Sequence, residues 1–376
     1  MSREARVILA AVLLLMGLGL VVLYSASAIT SAERYKDEFW FLRKQAVWAG
    51  LAAATLLAIS RVPYRRWIEW APWLAAAALI LLVAVLVPGI GRSVNGARRW
   101  IGAGPANVQV SEFARIAVLC LVVRLMSRTP ELREGFVKGF LPPFSLALLT
   151  AALIAFEPDI GGATFTMAVL TTVMLVGGIS LVHLVPTCAA ALLALTIGAL
   201  TKLKYVTGRI RVWLYPESDV LGASYQLQQS LIALGAGGFL GVGLGRGFQK
   251  LRFLPEPHSD FILAILGEEL GLMGTLAVLG LFAVIAIAGC RIALRAPDRE
   301  GRLLAFGITM MVTLQAIINV GVVTGCLPTK GMPLPFVSYG GSSLLCLCAA
   351  IGILLNVGSQ VVSELDDASR TENPIA

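Results

Sequence analysis

Long apolar stretches separated by short polar connections run through most of the chain. A helix needs about 20 apolar residues to cross a bilayer, and most of these stretches approach or exceed that length. The pattern predicts ten spans, near residues 6–29, 42–60, 71–88, 110–126, 141–156, 161–178, 181–200, 261–290, 303–325 and 341–358. We therefore expect an all-α integral membrane protein in which residues 1–376 form one polytopic domain.

Two parts of the chain interrupt this pattern. Residues 201–260, between the seventh and eighth spans, are predicted to form a large extracytoplasmic loop, and residues 361–376 a flexible cytoplasmic tail. Ten spans place both termini on one side. The distribution of Lys and Arg over the short loops puts that side in the cytoplasm, once the long loop is set aside.

Composition supports the membrane assignment, because 57% of the residues are hydrophobic and only 14% are charged. The net charge of +8 lies in the short connections, which indicates orientation and contact with anionic head groups rather than nucleic acid. The cysteines form no CxxC pair, and His183 and His258 lie in no metal-ligand pattern, so we expect no tight metal site.

A glycine-rich segment at 234–247, LGAGGFLGVGLGRG, has neither the GxGxxG nor the Walker A spacing, and no strand pattern precedes it. We expect no nucleotide there. Closely packed, flexible backbone beside a lipid-like ligand explains these glycines better.

The predicted outer face carries an unexpected surplus of positive charge. Either contact with lipid phosphates or the binding of an anionic substrate explains it. The residues are Arg92, Arg98, Arg99, Arg209, Arg211, Arg246, Lys250, Arg252 and Lys330.

Several carboxylates lie at or inside the predicted spans. Asp260 begins the eighth span, so it is either a helix-terminal residue or a general base at the rim of the bilayer. Glu268 and Glu269 lie about 12 Å deeper along that helix. Carboxylates inside a span mark a functional site or have a structural partner, for which Arg115 is the favoured candidate.

Two further carboxylate groups accompany the fourth, fifth and sixth spans. Glu112 and Arg115 are three residues apart on one helix face, a spacing that predicts an ion pair. Glu157 and Asp159 lie in a tight turn between spans, where they are either solvated loop charges or part of a site.

Seven motifs, in order along nearly the whole chain, resemble those of the SEDS family of polytopic peptidoglycan glycosyltransferases. They are GARRWI (96–101), SEFAR (111–115), FEPD (156–159), the W…PE…SYQ..QS pattern of 213–230, GLGRGFQKLRFLPEPHSDFI (243–262), GEELG (267–271) and LPTKG…PLPF.SYGGSS (327–343). The forms of two of these motifs resemble the division and sporulation members more than the elongation member. Arg115 replaces the usual Lys, which keeps the charge but changes its shape, and Val110 replaces a usual Pro.

The resemblance implies an activity and a catalytic residue. The enzyme would join a lipid-linked glycan to lipid II by inverting transfer and release undecaprenyl pyrophosphate, with Asp260 taking the proton of the acceptor hydroxyl. Arg98, Arg99, Arg209, Lys250 and Lys330 are candidates to hold the pyrophosphate, and a loosely held Mg²⁺ or Mn²⁺ could share this task. The other substrate-binding candidates are Glu112, Arg115, Asp159, His258 and Ser338.

The resemblance also implies partners and a location. A class B penicillin-binding transpeptidase of the FtsI type, with other divisome membrane proteins, would accompany the chain in the bacterial inner membrane at the septum. Two other functions remain open at this stage. One is a flippase that moves lipid II without bond chemistry, and the other is a non-catalytic scaffold for the transpeptidase.

Overall fold

The computed structural model describes residues 1–94, 97–103, 106–128, 135–187, 189–190, 213–215, 224–251, 253–255 and 258–372, and these are mostly helical. The labelled helices are α1 (Arg3–Tyr35), α2 (Trp40–Ser60), α3 (Tyr64–Leu86), α4 (Val110–Arg128), α5 (Leu141–Phe156), α6 (Ile160–Val176), α7 (Tyr225–Gly237), α8 (Ile262–Arg295), α9 (Arg299–Val323) and α10 (Gly341–Glu372). A π-helical turn, Phe136–Phe140, leads into α5.

Within the described part of the chain, six helical segments are long and apolar enough to cross a membrane. They are Arg3–Tyr35, Tyr64–Leu86, Phe136–Phe156, Ile262–Arg295, Arg299–Val323 and Gly341–Gln360. The other predicted spans coincide with the shorter or more polar helices α2, α4 and α6, except the seventh, which lies largely outside the described residues. At the carboxyl end, α10 continues to Glu372, through much of the predicted flexible tail.

Small residues allow the helices to pack closely. Gly352 of α10 lies against the backbone of α2, where a Cβ would come within 2.8 Å of the Leu56 carbonyl oxygen. Gly19 of α1 similarly faces the backbone of Val337, at 2.8 Å from its Cα. Helices in a membrane associate by such close packing, because lipid supplies no hydrophobic driving force between them. These contacts fix α1, α2 and α10 around the loop that precedes α10.

A three-stranded antiparallel sheet lies between α3 and α4, and the all-α expectation missed it. Its strands, β1 (Arg92–Val94), β2 (Ala97–Ala103) and β3 (Ala106–Gln109), are ordered β1-β2-β3. The Asn-Gly pair at 95–96 is a hairpin signal that the sequence did contain. Side chains alternate along a strand, so Arg98 and Arg99 of β2 point to opposite faces.

The eighth span is broken, whereas the apolar pattern predicted one continuous helix over 261–290. Gly271 of α8 has φ 68° and ψ −166°, which interrupts the helical ladder. The glycine-rich segment fills the interruption: Val242 and Gly243 amides donate to the carbonyls of Glu268 and Glu269, each at 3.0 Å.

Backbone bonds also run in the other direction at this break. The amides of Leu272 and Met273 donate to the carbonyls of Gly238 (3.0 Å) and Phe239 (3.2 Å). Gly241 and Gly271 face each other with no space for a Cβ. The close backbone packing predicted for the glycines is therefore confirmed, and it satisfies backbone groups that lipid would leave unpaired.

Candidate active site

Asp260 lies where three segments of the protein meet. It is half-buried and immediately precedes Phe261, the N-cap residue of α8. Its backbone carbonyl accepts a hydrogen bond of 2.9 Å from Asn319 Nδ2 of α9. Its carboxylate lies against Gly331: a Cβ added to this glycine would lie only 2.7 Å from Asp260 Oδ2. The carboxylate is thus at the border between a membrane helix and the loop 324–340.

His258, two residues earlier, is buried among aromatic rings. Its ring centroid is 4.6 Å from that of Phe41 and 5.7 Å from that of Tyr339. Its backbone carbonyl accepts a hydrogen bond of 3.0 Å from the Tyr339 amide. These contacts attach the segment that carries Asp260 to α2 and to the loop before α10.

Ser338, also predicted to bind substrate, is buried and shapes the loop. Its hydroxyl accepts a hydrogen bond of 2.8 Å from the Leu334 amide, and its carbonyl accepts one of 3.4 Å from Gln45 Nε2. The loop that holds Ser338 is joined to the segment of His258 and Asp260 by the hydrogen bond from the Tyr339 amide to the His258 carbonyl.

Glu112 and Arg115 form the predicted ion pair. Arg115 Nη1 lies 3.0 Å from Glu112 Oε1, and both side chains are more than nine-tenths buried. The guanidinium also lies over the Phe165 ring, with Cζ 5.1 Å from its centroid. On its other side it packs against Gly162, where a Cβ would come within 2.8 Å of Nη2. The pair therefore joins α4 to the start of α6.

The two carboxylates of the turn between α5 and α6 are buried, so they are not the solvated loop charges considered from the sequence. Glu157 is 0% exposed, and Asp159 caps α6 by accepting the Gly162 amide at 2.8 Å. Arg99 of β2 holds this turn: it donates to the carbonyls of Glu157 (3.1 Å) and Pro158 (2.5 Å), and its Nη1 lies 3.9 Å from Asp159 Oδ2.

Lys330 connects this turn to the segment beside Asp260. Its ammonium donates to the carbonyl of Gly161, and its stem covers that glycine. Burial lowers the pKa of Lys330 to about 8, against the opposing attraction of Asp159. Since Gly331, the next residue, contacts the Asp260 carboxylate, the segment 330–331 links the charged turn to Asp260.

Glu157 provides a test of this electrostatic arrangement. Burial, followed by the Asp159 charge, raises the pKa of Glu157 from 4.5 to about 8, while Arg99 and Arg115 oppose the change. The unfolded carboxyl ionises near pH 4.5 and the folded one near pH 8. The wild type therefore loses stability progressively as pH rises between these values.

We accordingly expect Glu157→Gln, which is neutral at every pH, to raise the melting temperature in detergent more at pH 8 than at pH 5.5. Glu38→Gln, at an exposed glutamate of the α1–α2 loop, is the control and should show no such difference. Equal effects of Glu157→Gln at the two pH values would contradict the raised pKa.

Glu268 and Glu269 have partners other than Arg115, which corrects the sequence-based interpretation. Glu268 Oε1 accepts the amides of Phe248 (2.7 Å) and Gln249 (3.3 Å). Glu269 Oε1 accepts from Lys250 Nζ (2.8 Å) and from the hydroxyl of Ser25 (2.6 Å). Both carboxylates are buried, and they hold the 248–250 segment against α8.

The predicted outer cations have different environments in the structure. Lys250 is buried in its pair with Glu269, Arg99 holds the α5–α6 turn, and Arg98 is exposed on the other face of β2. Arg209 lies outside the described residues.

Over the residues that are described, no three His, Cys, Asp or Glu side chains converge to hold a metal ion. The loosely held divalent cation considered above stays a prediction, which the metal dependence of polymerisation would test.

Sequence reasoning missed Asn319 and Gly331 as parts of this site. Asn319 is a polar residue inside an apolar span, which is the signal that could have singled it out. Gly331 lies in the LPTKG motif, which sequence reasoning singled out without giving the glycine a role.

Fold and site together define a polytopic helical membrane protein with irregular backbone and charged groups gathered at one edge of its spans. The family described as "Cell cycle protein", which covers FtsW, RodA and SpoVE, matches residues 5–362. The chain belongs to this family.

Similar proteins extend over nearly the whole chain. It is 41% identical over 354 residues to the "Probable peptidoglycan glycosyltransferase FtsW" of Trichlorobacter lovleyi, covering 94% of this chain and 92% of that protein. It is 40% identical over 347 residues to the "Stage V sporulation protein E" of Bacillus subtilis, covering 92% and 94%.

Two solved structures share the fold. One, "Structural coordination of polymerization and crosslinking by a peptidoglycan synthase complex", has a TM-score of 0.78 at 30% identity and covers 94% of this chain and 97% of its own. The other, the rod shape determining protein RodA of Thermus thermophilus, has a TM-score of 0.70 at 27% identity and covers 94% and 96%.

Proposed function

We propose that the chain is a peptidoglycan glycosyltransferase that polymerises lipid II into glycan strands. The family, and relatives of about 40% identity that carry this activity in their names, support the reaction class. The observation that carries the assignment to a site is the half-buried Asp260 carboxylate, held at the head of α8 between α9 and the loop 324–340. Substrates with a lipid tail and a sugar head meet at such a border.

In the proposed reaction Asp260 acts as the general base. It takes the proton of the acceptor hydroxyl while that oxygen attacks the anomeric carbon of the donor. The bond from that carbon to the phosphate oxygen breaks, configuration inverts, and undecaprenyl pyrophosphate leaves with the electron pair. A positioned base contributes about 10²–10⁴-fold in rate.

Fixed cations would stabilise the negative charge that develops on the leaving pyrophosphate. Lys330 is one candidate among the five considered, because the next residue, Gly331, contacts the Asp260 carboxylate. Its ammonium would have to leave the Gly161 carbonyl to reach the substrate. Arg98 is exposed and available for the same task. Arg99 and Lys250 would act on the substrate only if they exchanged their present protein partners, and Arg209 remains a candidate from sequence alone.

A class B penicillin-binding transpeptidase is the partner we propose. The similarity to a synthase complex whose title names polymerization and crosslinking supports it. We further propose that the protein acts at the septum of the inner membrane with both termini in the cytoplasm. The similarity to proteins named FtsW supports this location.

The decisive experiment is gel-resolved polymerisation of labelled lipid II by the purified protein, with and without the transpeptidase and Mg²⁺ or Mn²⁺. Long glycan products are expected. Transport of lipid II across vesicles without any product would instead favour a flippase. Neither activity, together with intact transpeptidase binding, would favour a scaffold.

A further inference from the structure

Asn319 ties together the two segments that form the Asp260 site. Its side-chain amide lies inside α9 and is 1% exposed. Nδ2 donates to the carbonyl of Asp260 at 2.9 Å and to the carbonyl of Met332 at 2.7 Å. These two carbonyls belong to segments more than 70 residues apart in the sequence. One amide group therefore joins two distant parts of the chain.

The chemistry of this contact determines which residue can make it. Both partners are carbonyl oxygens, which only accept hydrogen bonds, so the position needs a group with two donors. The amide group of Asn supplies both from one nitrogen, and α9 holds it rigidly because that helix is mostly buried. A buried carbonyl that loses its donor incurs a desolvation cost, so the two segments should separate without Asn319.

Gly331 shows why the position of the second segment matters for Asp260. This glycine precedes Met332, and the Asp260 carboxylate rests against it. Its φ lies outside the left-handed region, so an alanine would suit the backbone there. A Cβ would nevertheless come within 2.7 Å of Oδ2, and the carboxylate would have to move.

We propose that Asn319 is a positioning residue, which fixes the Asp260 carboxylate against Gly331 by holding the Asp260 and Met332 backbones at one amide. This inference rests on the proposed function for its kinetic consequence, although the clamp itself does not. Misplacement of a reacting group by about 1 Å costs on the order of 10²-fold in rate. We expect Asn319→Leu to lower kcat by about 10- to 100-fold and to leave KM for lipid II within about twofold.

Gln315, one turn earlier on α9, is the matched control. Its Nε2 donates at 2.9 Å to the carbonyl of Pro333, so it holds the loop and makes no described contact with Asp260. Gln315→Met removes a buried amide of similar size. Because one net hydrogen bond is modest, it should change kcat by no more than about threefold.

Hydrogen–deuterium exchange separates the clamp from the activity. In Asn319→Leu the peptides covering 258–264 and 330–336 should both exchange faster. In Gln315→Met only the second should change. Unchanged exchange of both peptides in Asn319→Leu would overturn the clamp, whether or not the wild type polymerises lipid II. A wild type without polymerisation would count only against the proposed function.

Kinetics decide the positioning role in an active wild type. Wild-type kcat in Asn319→Leu, or an equal loss in Gln315→Met, would overturn it. Where Asn319→Leu fails to fold, Gly331→Ala gives the answer, since it removes no hydrogen bond and Gly331 is exposed. A loss of about tenfold or more in kcat supports positioning against Gly331, and full activity refutes it.

Discussion

Asp260→Asn is expected to reduce the rate of lipid II polymerisation by about 10²–10⁴-fold. The amide has the shape of the carboxylate but cannot take the proton from the acceptor hydroxyl. The fold should persist. Two described hydrogen bonds on this segment end at backbone carbonyls, from Asn319 Nδ2 to Asp260 and from the Tyr339 amide to His258, and an asparagine at 260 keeps both. Gel-resolved product from equal amounts of folded protein measures the effect.

A second aspartate of the predicted outer face provides the control for this variant. Asp37, in the α1–α2 loop, pairs with the exposed Arg43 at 3.0 Å, and surface pairs of this kind contribute little. Asp37→Asn should therefore polymerise lipid II like the wild type. Equal product from Asp260→Asn would remove Asp260 from the mechanism and leave the charged turn at 157–159 as the place to look for a base.

Lys250→Met should destabilise the protein by about 3–5 kcal/mol, the second large effect we expect. The substitution removes the cation that lies 2.8 Å from Glu269 Oε1 and leaves that carboxylate buried beside Ser25 alone. Losing one member of a buried pair is costly because the remaining charge is neither hydrated nor compensated. The melting temperature in detergent should fall clearly below that of the wild type.

Two further variants identify the cause of that loss. Lys250→Met combined with Glu269→Gln removes both charges and should recover most of the melting temperature, since neutral replacements of a buried pair are often tolerated. Arg246→Met, at an exposed cation four residues earlier, should change it little. A double variant as unstable as Lys250→Met would show that the lysine stem, rather than the unpaired charge, stabilises this segment.

The interactions that sequence predicted correctly are those between near neighbours in the chain. The spans follow from runs of apolar residues, because a helix in lipid must present apolar side chains and satisfy its own backbone. The pair of Glu112 with Arg115 follows from helical geometry, which places residues three apart on one face. The aspartate at the border was located in the same way, from the point where loop residues give way to an apolar run.

Features that depend on several distant segments could not be predicted. The break at Gly271 leaves the apolar pattern unchanged, and it is stable only because the 238–243 backbone supplies the missing hydrogen bonds. Arg115 and Lys250 are both cations that could neutralise a buried glutamate, and sequence alone favoured the wrong one. The short sheet, which directs Arg99 toward Glu157, was missed because its strands lie in a connection that carries little periodic signal.

The sequence by itself therefore determined a polytopic helical membrane protein, its family resemblance and the carboxylate at the edge of the eighth span. Only the tertiary structure decided what surrounds that carboxylate: Asn319, Gly331 and, one residue away, Lys330. The physical reason is that a buried polar group must be satisfied by whichever partner the folded chain brings within hydrogen-bonding distance. Hydropathy shows that such a group needs a partner, and the packing of distant helices and loops selects it.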